Sequence, residues 1–280
     1  DNYKFFLQAG ALKNLATMIG DSIRFWHEMY KHPNYDAWWQ ARNVRVGLYN
    51  IKPAVLWVGG LFDAEDCWGA WNSYKAAELQ SPKTNNKIVM GPWYHGQWSR
   101  EGSYLGNIRF ESNTSDHFQK NIEIPFFNYH LKNKGTVDGI SEANIFFTGE
   151  NSWKQFTVWP PENVEFRNLY THPGNKISFD ISANGFDEYL SDPAHPVPYT
   201  EDVHNGRTRE YMTDDQRFAA RRPDVLTYEL ATLTDDITLA GPVIADLVTS
   251  ISTTDADFVV KLIDVFPDDF EYPAATKGNG

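Results

Sequence analysis

Residues 51–98 alternate between short apolar runs and glycine followed by polar side chains. Ala54 to Val58 is continuously apolar and stops at Gly59-Gly60, after which Asp63, Glu65 and Asp66 follow; Ile88 to Met90 is likewise apolar, stops at Gly91 and leads to His95. Continuous apolar runs of this length mark strands buried on both faces, as in a parallel sheet. The polar residues then fall at C-terminal strand ends, where open α/β sheets place their chemistry. Between the runs, Trp68 to Leu79 has good helix formers at helical spacing. The pattern predicts a βαβ crossover that delivers an acid and then a histidine.

The flanking texture differs on each side. Tyr3 to Ile19 places apolar residues at helical spacing, a second helix runs to Tyr30 before Pro33-Asn34, and Tyr35 to Val44 offers a third bearing Trp38 and Trp39. No strand alternation occurs there, so residues 1–50 read as a helical insertion or cap ahead of the sheet. Residues 51–139 form the α/β part, closed by a helix over Ile124 to Leu131 that ends at Lys132-Asn-Lys-Gly135. Basic residues followed by glycine are a C-terminal helix signal. From residue 140 the chain changes to short β segments separated by Pro, Gly, Asn and Asp: Ala143–Thr148, Phe166–Tyr170, Lys176–Phe179, Leu226–Leu230, Val243–Ser252 and Phe258–Phe266. This reads as an antiparallel β-sandwich over residues 140–280, with Asp180 to Arg222 running across its surface. The predicted class is therefore α/β plus all-β.

Composition narrows the functions. Hydrophobic residues at 41% with 22% charged indicate a globular chain with real cores, and a net charge of −12 argues against nucleic acid and anionic membrane as partners. The 15% aromatic content and ten tryptophans suit an aromatic-lined cavity, although sandwich packing accounts for most of them. The single cysteine, Cys67, excludes an intrachain disulfide; it reads as a structural thiol, because neighbouring carboxylates raise a thiol's pKa and oppose a nucleophilic role. No histidine pair has zincin spacing and no acidic run matches an EF-hand, so neither a metal nor a cofactor is expected.

An acid and then a histidine on successive strand ends is the second half of the α/β-hydrolase catalytic order, Asp63 orienting and His95 acting as general base. The first half does not appear. There is no Gly-x-Ser-x-Gly in the 280 residues, and neither Ser99 nor Ser103 sits in a strand-to-helix elbow. The nucleophile is expected on an upstream segment, the missing N-terminal half of the hydrolase. Plainer roles exist for each residue: Asp63 as a helix cap, Glu65 and Asp66 as helix-dipole partners, His95 as a loop histidine.

Gly60-Leu-Phe-Asp63-Ala-Glu65-Asp66-Cys-Trp-Gly and Met90-Gly-Pro-Trp-Tyr-His95-Gly-Gln resemble the acid and histidine motifs of the α-amino acid ester hydrolases. These group with glutaryl-7-aminocephalosporanic acid acylase-like proteins, cocaine esterase and X-Pro dipeptidyl-peptidase in one serine hydrolase superfamily. Thr254-Asp-Ala-Asp-Phe-Val-Val-Lys-Leu-Ile-Asp-Val-Phe-Pro-Asp-Asp269 is similar to a signature of the jelly-roll domain that closes such chains. The resemblance implies the C-terminal half of an α/β-hydrolase sheet with its helical cap, followed by a jelly-roll β-sandwich. It further implies Asp63 and His95 as triad members, and Glu65 with Asp66 as part of a carboxylate cluster that holds a substrate α-ammonium. The implied reaction is acyl transfer from α-amino acid esters or amides, including β-lactams with an α-amino acyl side chain. Trp93, Tyr94 and Trp98 around His95 are candidates for lining an acyl pocket. The expected partner is a small-molecule acyl donor, homo-oligomerisation is left open, and the resemblance points to a periplasmic or secreted setting. The competing readings are X-Pro dipeptidyl-peptidase or glutaryl acylase activity, and a non-catalytic jelly-roll binding module.

Overall fold

The computed structural model describes residues 2–181, 184–202, 208–209 and 211–271. The α/β centre is a four-stranded sheet of β1 (Val55–Gly60), β2 (Asn86–Gly91), β5 (Ala143–Phe147) and β6 (Ser152–Phe156), in the order β1-β2-β5-β6, with β3 (Tyr104–Leu105) and β4 (Ile108–Arg109) paired in a separate small hairpin. β1 and β2 run parallel from Val55↔Asn86 to Gly60↔Gly91, and the crossover between them is α5 (Cys67–Gln80), as the apolar pattern predicts. β5 continues the parallel sheet on the far side of β2, with Ile88↔Ala143 and Met90↔Ile145; β6 turns back antiparallel.

Side-chain alternation sorts the sheet into two faces. Val89, with Leu56 and Val58 beside it, packs on Phe118, Ile122 and Phe126, while Ile88 and Met90 pack with Tyr74 and Ile145 under α5. Ile88, Val89 and Met90 are all wholly buried. This double coverage explains why Ile88 to Met90 is apolar without interruption. The helical layer on the Val89 face is α6 (Thr114–Phe118), a π-helical turn (Gln119–Glu123) and α7 (Ile124–Lys132). α7 ends on Asn133 in the left-handed region, with Asn133 N–H donating to Tyr129 O and Lys134 N–H to Asn128 O. The terminator is thus this asparagine, ahead of the expected Gly135.

One expectation needs correction and a second is not confirmed. The stretch Ala143–Thr148, read as the first strand of a sandwich, supplies β5, so the sheet continues past residue 139. Its apolar side chains find both faces of an existing sheet already covered by helices, and the local sequence carries no information on which sheet a strand joins. The sandwich itself is not assembled among the described residues, where the later part of the chain forms one hairpin, β7 (Tyr170–His172) with β8 (Lys176–Ser178), and a single bridge from Lys176 to Glu229. Val243–Ser252 and Phe258–Phe266 enter no ladder among those residues, and Val243, Ile244, Val259 and Val265 are exposed. Alternation predicts a strand only when another edge pairs with it.

The N-terminal region is helical as expected, but its first segment is two helices: α1 (Asn2–Ala9) and α2 (Lys13–Ile19) are separated at Gly10, whose φ of 66° ends the first. α3 (Arg24–Lys31) and α4 (Ala37–Gln40) follow, and Asp36 caps α4 by accepting from Trp38 N–H and Trp39 N–H. Among the described residues no helix is long and apolar enough to cross a membrane.

Beyond their last paired residues, β1 and β2 stay bonded to each other. Leu61 N–H donates to Gly91 O (2.9 Å) and Phe62 N–H to Trp93 O (3.1 Å), so the two exit loops leave the sheet side by side. That approach requires glycine. A Cβ at Gly60 would stand 2.1 Å from the Trp93 carbonyl oxygen, and one at Gly91 would stand 2.4 Å from the Trp93 ring. Gly60→Ala is therefore expected to destabilise the fold by at least the ~1–3 kcal/mol typical of overpacking. Gly47→Ala, where nothing lies within 4 Å, should stay within about 0.5 kcal/mol. Urea unfolding of both variants checks this, and equal losses would contradict the close-approach account.

Candidate active site

Asp63 and His95 occupy the two exit loops. Asp63 lies three residues past the end of β1 and its side chain is fully buried. Oδ1 accepts from Glu65 N–H (2.7 Å) and Asp66 N–H (3.2 Å), which bends the chain into α5, and Oδ2 faces His95 Nδ1 at 3.0 Å. One oxygen of Asp63 thus closes a turn ahead of α5, whose N-cap is Asp66, while the other faces the imidazole. A carboxylate can be buried here because three donors replace its lost water.

The Asp63 contact sets the chemistry of His95. With Nδ1–H donated to Asp63, the lone pair is on Nε2, on a side chain 43% exposed. The hydrogen bond to Asp63 pushes the imidazole pKa above its ordinary 6.5, opposed by partial desolvation and assisted by the charges of Asp63, Glu65 and Asp66. Asp66 Oδ2 lies 3.5 Å from Nδ1, and Glu65 Oε2 lies 3.9 Å from Nε2. The structure thus brings the three sequence-selected carboxylates around the imidazole of His95.

Asp63, Asp66 and His95 each bring a metal-competent ligand atom within 4.8 Å of the others. Asp63 already spends both oxygens on hydrogen bonds, so these residues make a bonded acid–base pair with an acid beside it. Cys67, half-buried, has its thiol pKa raised first by burial and then by the Asp63 charge, which keeps it out of nucleophilic chemistry.

The aromatic candidates separate. Trp93 is wholly enclosed, packs against Phe118 and Trp153, and donates Nε1–H to Thr114 Oγ1 (2.9 Å). It is a core residue, correcting its assignment to a pocket wall; its bulk is needed to fill the space that Gly60 and Gly91 leave open. Trp98 stays beside the site, its ring 5.8 Å from that of His95. Tyr94 is half-buried and takes a contact the sequence gave no signal for: Arg209, more than a hundred residues later, donates Nη1–H to Tyr94 Oη at 3.3 Å and lies 4.9 Å from its ring centroid. Gln97, in the same histidine motif, is buried as well, which its polar residue type does not foretell.

Comparison with known proteins agrees with this architecture. Residues 1–97 match the family model described as X-Pro dipeptidyl-peptidase (S15 family), and residues 131–279 match that of the X-Pro dipeptidyl-peptidase C-terminal non-catalytic domain. Cocaine esterase of Rhodococcus sp. (strain MB1 Bresler) is 28% identical over 260 residues, covering 86% of this chain and 43% of that protein. Among solved structures, an aminopeptidase from the marine sediment archaeon Thaumarchaeota archaeon superposes with a TM-score of 0.74 at 36% identity, over 81% of this chain and 39% of its own. A selenomethionine-labelled α-amino acid ester hydrolase gives 0.76 at 35% identity, over 86% and 42%. The chain spans less than half the length of each of these relatives. With a family model matching more than half of its length, and with the acid and histidine loops placed as the sheet requires, the chain belongs to the X-Pro dipeptidyl-peptidase superfamily of serine hydrolases, together with cocaine esterase and the α-amino acid ester hydrolases.

Proposed function

We propose that this chain supplies the acid and the base of a serine hydrolase that transfers acyl groups from α-amino acid esters or amides, including β-lactams carrying an α-amino acyl side chain. The serine nucleophile is assigned to a segment outside the 280 residues. The observation that carries the reading is the 3.0 Å contact between His95 Nδ1 and the fully buried Asp63 carboxylate, which leaves Nε2 as the open base. In the acylation step Nε2 takes the serine proton as Oγ attacks the acyl carbon, and Asp63 stabilises the imidazolium without itself being protonated. His95 then returns the proton to the departing alcohol or amine. Water repeats the sequence in deacylation.

Glu65 and Asp66 are assigned the substrate α-ammonium. Both flank the imidazole, both are at least 43% exposed at the side chain, and their backbone is fixed by Asp63. The same recognition would serve a peptide N-terminus, as an X-Pro dipeptidyl-peptidase requires. A glutaryl donor, with its distal carboxylate, would meet like charge.

The raised His95 pKa gives the first test. A general base works in its neutral form, so kcat/KM of the full-length enzyme is expected to rise with pH through a midpoint above 6.5. Asp63→Asn removes the largest cause of that rise; it should lower the midpoint and cut kcat by about ten-thousand-fold, the scale seen when the orienting acid of a triad is neutralised. A midpoint that is the same in parent and variant would sink the acid–base pairing.

Specificity gives the second. Charge-assisted hydrogen bonds worth roughly 1.5–3 kcal/mol predict an advantage of about ten- to hundredfold in kcat/KM for phenylglycine methyl ester over phenylacetic acid methyl ester. In the Glu65→Gln, Asp66→Asn double variant that ratio should fall toward one. If the advantage persists there, the two acids serve only the helix start.

A further inference from the structure

The loop that carries His95 is built around a buried amide that the reaction itself does not use. Gln97 is only 2% exposed, and all its polar atoms are engaged. Side-chain Oε1 accepts from Tyr94 N–H at 3.1 Å, and Nε2 donates one proton to Glu101 O and the other to Tyr104 O, both at 2.9 Å. The amide's orientation is fixed by chemistry, since a backbone N–H lies on one side and two carbonyls lie on the other. The backbone of the same residue is equally tied: its N–H donates to Tyr94 O (3.0 Å), and its carbonyl accepts from Ser115 Oγ (2.8 Å) and Arg100 N–H (2.8 Å).

These bonds bracket the histidine. Tyr94, immediately before it, is held at both N–H and carbonyl by Gln97; Gly96, immediately after it, turns in the left-handed region at φ 80°. The far side of the loop is fastened to α6, where Thr114 Oγ1 donates to Gly102 O (2.7 Å) and a Cβ on Gly102 would meet Ser115 Oγ at 2.2 Å. Thr114 in turn accepts from Trp93 Nε1, which closes the circuit back to the end of β2.

We propose that Gln97 is a positioning residue for the histidine: its buried amide spans the loop from Tyr94 to Tyr104 and holds the imidazole of His95 in register with Asp63. This rests on His95 being the general base. An amide that satisfied the interior alone could sit anywhere along the loop, whereas this one closes on the residue adjoining His95 from both the main chain and the side chain.

The test uses the full-length enzyme and reads His95 without turnover. The pH dependence of diethyl pyrocarbonate modification, resolved to the His95 peptide by mass spectrometry, reports the fraction of neutral imidazole. Gln97→Met keeps the volume and removes the amide. It is expected to lower the His95 midpoint toward 6.5, because the contact that raises it is no longer held, and to reduce kcat about ten- to hundredfold with KM changed by less than about twofold. If the melting temperature falls while the His95 midpoint and kcat match the parent, Gln97 only stabilises the loop and the proposal is wrong. Should Gln97→Met fail to fold, Gln97→Asn is read in the same way: it keeps an uncharged amide that is one methylene too short to span from Tyr94 to Glu101 and Tyr104. Asp63→Asn separates the two levels. An effect of Asp63→Asn without one of Gln97→Met overturns this inference alone, and no effect of Asp63→Asn removes the reading beneath it.

Discussion

The arrangement depends on how closely the ends of β1 and β2 approach each other. Hydrogen bonds from Leu61 and Phe62 to the opposite loop extend the parallel ladder past its last paired residues, and the space between is too small for any side chain at Gly60 or Gly91. Trp93 fills that space from one side and is anchored from the other by Thr114. Two loops held this way cannot drift apart, so the acid and the histidine meet because the backbone beneath them already does. The tryptophan nearest the histidine in sequence is accordingly spent on the core.

Electrostatics then act on a fixed frame. Asp63 has no exposed side-chain surface and is hydrogen-bonded to three donors, whereas the imidazole it addresses is nearly half exposed. The asymmetry is suitable for proton transfer: the fixed charge stays where no substrate reaches it, and the titrating group stands where one can. Glu65 and Asp66 add charge at the exposed side, so the field around His95 favours cations in general, its own protonated form included.

What could be read from the amino acids alone was whatever is determined locally. The βαβ unit followed from two apolar runs and the helix formers between them, and the meeting of Asp63 with His95 followed from polar residues placed a few positions after Gly60 and Gly91. Long-range pairing was not legible. Nothing within Ala143–Thr148 distinguishes a strand completing a parallel sheet from one opening a sandwich, and the alternation in Val243–Ser252 cannot say whether another edge is at hand. The Arg209–Tyr94 contact and the burial of Trp93 were hidden for the same reason, since both depend on chain segments distant in sequence.

Asp63 links two properties that enzymes commonly vary separately. One oxygen orients the base, and the other fixes the backbone of Glu65 and Asp66. Exchange of the side chains at 65 and 66 would leave the path of the loop intact, because it is drawn by backbone N–H groups that every residue except proline possesses. Change at 63 would release the imidazole contact and the loop together. Under the proposed function, substitution at 65 and 66 would therefore alter recognition alone, whereas substitution at 63 would reach the imidazole and the loop at once.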